Sequence, residues 1–100
     1  MSIIHKLSSG AQSGDGIIFA SPCFYYGFTC ATGGTDRTTI LYDNASAASG
    51  KKVEHFVCDG NKTEDGHSHA IPVYCTNGLY LDHGGGTVIV FFKPFRTPPD

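Results

Sequence analysis

The residues best suited to chemistry in this chain are two histidines separated by one serine, His67 and His69. Residues two positions apart on an extended strand project from the same face, so both imidazoles would point to one side. Cys58 and Cys75 flank this segment, and thiolate and imidazole are typical ligands of tetrahedral zinc. However, the order Cys, His, His, Cys lacks the closely spaced cysteine pairs of compact zinc sites. The sequence therefore predicts no bound metal and no cofactor, with these four residues as weak metal candidates.

The four cysteines are expected to remain reduced. The first residues lack the basic, apolar and small-residue regions of a signal peptide, so we expect folding in a cytosol, where thiols stay reduced. Cys23 and Cys30 lie in one apparent strand at an odd spacing, which puts them on opposite faces and out of bridging reach. A bridge between Cys58 and Cys75 stays open as an alternative to buried free thiols.

Composition argues against several classes of function. The formal net charge is −2 and the sequence pI is about 6.2, so the clustered basic residues that contact nucleic-acid phosphates are missing. No apolar run approaches the roughly 20 residues that span a bilayer. The glycine clusters precede apparent strands rather than helices, which does not fit a phosphate-binding loop. We therefore predict no nucleic acid, no membrane and no enzymatic activity.

Short β-rich runs alternate with turn residues along most of the chain. The clearest case is a hairpin in which two such runs, at 78–83 and 87–92, flank three consecutive glycines. Similar runs recur upstream, and none has the length and periodicity of a stable helix. The sequence therefore predicts an all-β fold, a small antiparallel β-sandwich or jelly roll of about seven or eight strands with extended terminal arms.

Three segments follow from this pattern. Residues 1–16 are polar and glycine-rich and are expected to form a flexible arm, residues 17–93 the sandwich, and residues 94–100 a proline-stiffened tail. The arm carries Ile3 and Ile4, and the tail carries Phe95, where most tails are polar. We expect these three residues to contact a neighbouring subunit.

The aromatic segment at 23–31 offers a further interface. Strict alternation would put Phe24, Tyr26 and Phe28 on the core face. It would leave Tyr25 on the opposite face, free to bind a partner or a sugar.

The chain resembles a group of small structural proteins of tailed-phage virions. The distinctive segments are YDNASAASG at 42–50 and NGLY at 77–80, in the context of an aromatic strand at 24–30, IPV at 71–73 and GGGTVIVF at 84–91. The resemblance covers residues 17–93. The four cysteines and the two histidines depart from the group's plainer Val, Thr and Ala pattern.

This resemblance implies a structural role in the virion, which assembles in the host cytoplasm. The expected function is capsid decoration: a cement protein, as a homotrimer or other homo-oligomer, binds the major capsid protein and bridges shell subunits. One alternative is another virion part, such as a tail, neck or head-fibre subunit. The other is a β-sandwich module that binds sugar or protein through aromatic residues.

Overall fold

Alternating apolar residues and frequent turns fold the chain into antiparallel strands. The structure is a computed structural model that describes residues 7–95, in which eight strands and no helix are present. The strands are β1 (Leu7–Ser8), β2 (Gly16–Phe19), β3 (Cys23–Ala31), β4 (Arg37–Asp43), β5 (Lys51–Cys58), β6 (Asp65–Cys75), β7 (Leu79–His83) and β8 (Thr87–Pro94). The prediction of an all-β fold with seven or eight strands is confirmed. Within residues 7–95 there is accordingly no helix that could cross a membrane.

The strands form two four-stranded antiparallel sheets. The order is β1-β8-β3-β6 in the first sheet and β2-β7-β4-β5 in the second. Both sheets therefore combine strands from the two halves of the chain. Among the described residues, β6 ends the first sheet and β5 ends the second, and these two edge strands contact each other. This contact between sheet edges is where the polar cluster described below is located.

The core lies between the two sheets and is built from both. β3 and β8 supply one side, and β4 and β7 supply the other. The fully buried aliphatic residues are Leu41, Leu79, Leu81, Val88 and Val90. They alternate with more exposed neighbours in β4, β7 and β8, as expected for strands with one face on a core.

The alternation along β3 does not run through the whole strand. Tyr25 pairs with Phe92 of β8 and Gly27 pairs with Phe91, so β3 contains one extra residue, Tyr26, at this shift in register. Such a bulge reverses the alternation between the residues before it and those after it, so odd-numbered residues before the bulge face the core together with even-numbered residues after it. Tyr25 is consequently 0% exposed, and the expectation that it lies on a free binding face is wrong.

The same bulge changes the cysteine geometry. Cys23 and Cys30 both face the interior, on either side of the extra residue, and both are buried. Cys30 is joined by a disulfide to Cys58 of β5, across a Cα–Cα distance of 6.5 Å. The prediction that the thiols stay reduced is therefore wrong for this pair, and the alternative bridge between Cys58 and Cys75 is not formed. Cys75 instead lies opposite Cys23, and both are free and buried.

The expected arms are partly attached to the sandwich. Leu7 and Ser8 pair with β8 as β1, and Gln12 forms a further bridge to Val88, so residues 7–12 lie along a sheet edge rather than free. At the other end, β8 extends through Pro94, and the Phe95 amide donates a hydrogen bond to the Pro22 carbonyl at 3.0 Å. The predicted contacts of Ile3 and Ile4, and the tail beyond position 95, lie outside the described residues.

Candidate functional site

Three polar side chains converge where the edges of the two sheets meet. Glu54 of β5 pairs with the buried Leu41, so its side chain points to the inner face of the second sheet. His67 of β6 pairs with the buried Phe28, so it points to the inner face of the first sheet. His69 follows two residues later. The carboxylate and the two imidazoles thus approach one another from different sheets, at the open side of the sandwich.

The contacts among these side chains are direct. His69 Nε2 lies 2.9 Å from Glu54 Oε1, and His67 Nδ1 lies 3.2 Å from Glu54 Oε2. Each ring nitrogen donates to the carboxylate when it carries a proton. The two imidazole centroids are 4.3 Å apart. Glu54 is 9% exposed at its side chain and His67 is 49% exposed, so the cluster runs from the protein interior to solvent.

Tyr25 completes the cluster from inside. Its hydroxyl donates a hydrogen bond of 3.0 Å to Glu54 Oε1, and its ring lies 5.5 Å from the His69 ring between centroids. Burial, together with the nearby negative charge of Glu54, raises the pKa of Tyr25 well above its usual range. The phenol therefore remains a proton donor at any ordinary pH and holds one carboxylate oxygen in place.

The Glu54 carboxylate is ionised at neutral pH. Burial alone would raise its pKa, but the hydrogen bonds from His69, His67 and Tyr25 outweigh burial and lower the pKa below its ordinary value. The three donors satisfy the hydrogen-bonding capacity of this largely buried carboxylate. Its negative charge also makes it a suitable ligand for a cation.

One carboxylate oxygen and two imidazole nitrogens can bind a metal ion together. The candidate ligand atoms of Glu54, His67 and His69 all lie within 4.8 Å of one another. The structure therefore brings together the two predicted histidines but replaces the predicted cysteines with a glutamate. Cys58 is bonded to Cys30, and Cys75 faces Cys23. The four residues named as weak metal candidates are therefore not all brought together.

The residue that sequence reasoning missed is Glu54. Alternation along β5 puts it on the same face as Phe56 and Cys58, which is an unusual position for a carboxylate. That position was the available signal. The local pattern does not show that β6 lies beside β5, since these two strands belong to different sheets.

A second feature is an exposed aromatic cluster on the outer face of the first sheet. Phe24 and Tyr74 are opposite each other on β3 and β6, with ring centroids 5.3 Å apart. Phe95 lies 5.4 Å from the Tyr74 ring and 6.1 Å from the Phe24 ring. Tyr74 is 40% exposed and Phe95 is 51% exposed. We call these three residues the aromatic patch.

A cleft borders the aromatic patch. It has a volume of about 370 Å³ and is lined by Phe19, Ser21, Pro22, Pro94 and Phe95. Phe95, one of the predicted interface residues, therefore belongs both to the aromatic patch and to the lining of the cleft.

Comparisons of this chain with protein-family models, with curated proteins and with solved structures found no match.

Proposed function

We propose that this protein is a structural component of a phage virion, a capsid decoration or cement protein assembled onto the head in the host cytoplasm. It would bind the major capsid protein and bridge neighbouring shell subunits. The resemblance of residues 17–93 to small virion proteins supplies the class. The structural observation that supports a docking role is the aromatic patch of Phe24, Tyr74 and Phe95.

The strand order is compatible with this proposal. We interpret two four-stranded sheets with orders β1-β8-β3-β6 and β2-β7-β4-β5 as a jelly roll. This architecture occurs in viral capsid and lectin domains. Because one fold serves many functions, the strand order favours both the virion role and the sugar-binding alternative, and the surface has to distinguish them.

The aromatic patch has the properties of a protein-docking surface. Its rings already pack against one another, so little side-chain entropy is lost when a partner covers them. Burial of apolar area contributes about 25 cal/mol per Å², and aromatic residues are enriched among the residues that dominate binding energy. A rigid sandwich with such a surface suits a clamp that covers a seam between shell subunits.

Oligomerisation belongs to the same proposal. A decoration protein at a symmetry axis is expected to be a homotrimer or another closed homo-oligomer. Light scattering on the purified chain, alone and with capsids, measures this directly. A monomer that binds no shell would contradict both the oligomer and the cement function.

The decisive experiment uses particles stripped of the protein. Added back, the wild-type chain should bind and raise the temperature at which the shells open. Phe95→Asp places a charge on the aromatic patch and should weaken binding by about tenfold or more, in line with loss of a binding hot spot. Val57→Asp is the matched control, because Val57 is 57% exposed on a different strand and lies outside the patch. Equal binding by both variants, or no binding by the wild type, would reject this function.

The alternatives predict other outcomes. Assembly of the chain into tails, necks or head fibres, with no affinity for shells, would favour another virion part. A glycan-binding signal that is lost in Tyr74→Ala would favour a sugar-binding module. Tyr25 is not a suitable residue for that test, since it is buried in the core.

A further inference from the structure

The cluster at the contact between β5 and β6 has the composition of a transition-metal site. It offers two imidazole nitrogens and one carboxylate oxygen, a donor set that suits zinc and related divalent ions of intermediate softness. Calcium and magnesium prefer sites made of oxygen atoms alone, so the two histidines argue against them. The chemistry of the donors therefore selects a class of ion before geometry is considered.

The spacing of the donors fits such an ion. Zinc lies about 2.0–2.2 Å from nitrogen and oxygen ligands, which places tetrahedral donors about 3.3 Å from one another. His69 Nε2 lies 2.9 Å from Glu54 Oε1 and His67 Nδ1 lies 3.2 Å from Glu54 Oε2, and all the candidate ligand atoms lie within 4.8 Å of one another. Small side-chain rotations would bring two imidazole nitrogens and one carboxylate oxygen around one ion. The ion would then replace the protons that the rings share with the carboxylate.

The surroundings also fit a metal centre. Tyr25 donates to Glu54 Oε1 from the interior, as the outer partners of metal-binding carboxylates commonly do. The Phe56 ring stacks near His67, with centroids 6.2 Å apart, and limits how far that imidazole can turn. On the other side His67 is half exposed, which gives an ion access and leaves its fourth ligand to come from solvent or from a partner.

We propose that Glu54, His67 and His69 form a binding site for one zinc-like divalent transition-metal ion that bridges the two sheets. This site is independent of the aromatic patch and of the virion role. Bound metal would hold the edges of the sandwich together at a position where β5 and β6 share no backbone ladder. Its principal effect on the chain is therefore added stability, because an ion that binds only the folded state stabilises that state.

The test is calorimetric titration of ZnCl₂ into the untagged full-length chain after treatment with chelator. We expect one ion per chain and a higher melting temperature in the presence of zinc. His67→Ala and His69→Ala should each weaken affinity by more than the roughly 10–100-fold that loss of an outer partner costs. Tyr25→Phe, which keeps the ring and removes only the hydroxyl, should fall within that range.

His55→Ala is the matched control. His55 is an exposed residue next to Glu54 on β5, with its side chain on the opposite face of the strand, so affinity should be unchanged. Circular dichroism and thermal melts without metal establish that each variant is folded. No binding by the wild type, or wild-type affinity in folded His67→Ala and His69→Ala, would overturn the proposal.

Cobalt identifies the donor atoms. A Co²⁺ complex of Glu54, His67 and His69 should show only weak ligand-field bands. An intense thiolate-to-cobalt band would instead assign the ion to the free thiols of Cys23 and Cys75 and would reject the proposed ligand set.

Discussion

At the scale of single residues, Asp43 carries an unusual number of interactions for one side chain. It ends β4 and accepts hydrogen bonds from the segment that joins β6 to β7. Oδ2 accepts from the amide and hydroxyl of Thr76 at 3.0 and 3.1 Å, and Oδ1 accepts from the amides of Asn77 and Gly78 at 2.8 and 3.3 Å. One carboxylate thus fixes the connection between the two sheets.

These contacts give Asp43 a pH-dependent contribution to stability. Burial alone would raise its pKa, but the hydrogen bonds from Asn77, Thr76 and Gly78 outweigh burial and lower the pKa below the usual value. A group whose pKa is lower in the folded state stabilises that state above its unfolded pKa, near 3.9 for aspartate. The stabilisation is lost as the pH falls through the folded pKa.

We predict that Asp43→Asn lowers the free energy of unfolding at neutral pH by about 1.5–3 kcal/mol, the usual contribution of a hydrogen bond to a charged group. The difference between wild type and variant should shrink as the pH falls below about 4, since the carboxylate of the unfolded chain then becomes protonated, and it should disappear below the lower pKa of the folded state. Urea denaturation at several pH values measures both quantities. Glu64→Gln, at an exposed turn position, is the control and should leave stability unchanged. A difference between Asp43→Asn and wild type that is independent of pH would contradict this account.

At the scale of elements, the bulge in β3 determines which side chains reach the core. It sets Tyr25 beneath Glu54 and sets Cys30 opposite Cys58, so both the polar cluster and the disulfide depend on it. Gly27 lies at this bulge with φ of 136°, a conformation that residues with a side chain rarely adopt. A Cβ at this position would also clash with the backbone carbonyl of His67.

Gly27→Ala should therefore be strongly destabilising. Unfavourable backbone conformation costs on the order of 1–3 kcal/mol, and the clash with β6 adds to that cost. Because the clashing carbonyl belongs to His67, the variant should also lose any affinity for zinc before it loses its β-sheet content. Gly14→Ala is the matched control, since no atom lies within 4 Å of the added Cβ, and its melting temperature should equal that of wild type. Thermal melts and zinc titration of both variants provide the measurements, and a Gly27→Ala protein as stable as wild type would show that the bulge is dispensable.

The bulge also explains how far sequence patterns reach in this chain. Strand positions could be predicted because turn residues and β-rich runs are local signals, and β7 and β8 lie close to the runs predicted at 78–83 and 87–92. The facing of Tyr25 could not be predicted, because one extra residue reverses the alternation and nothing in the local composition requires it. The pairing of Glu54 with the histidines depends on two edge strands from different sheets and therefore on the tertiary arrangement.

At the scale of the whole molecule, the two sheets are connected covalently near one end. The disulfide joins β3 of the first sheet to β5 of the second and closes a loop between residues separated by 28 positions. In a chain of 100 residues the core is modest, so a cross-link has a large relative effect. The expectation of reduced cysteines failed because it was argued from cellular compartment and from strict alternation, whereas the actual contact is between sheets.

Reduction of this disulfide should consequently weaken the entire sandwich. The chain-entropy relation gives about 3.5 kcal/mol for a loop of this length. Addition of reductant to the wild type should lower the denaturation midpoint accordingly, and Cys30→Ala/Cys58→Ala should be destabilised and insensitive to reductant. Cys23→Ala/Cys75→Ala is the control that separates the two pairs: it removes the free thiols and should keep the full response to reductant. If that control lost the response, or if reductant left the wild type unchanged, the bond between the sheets would not be the one that stabilises this fold.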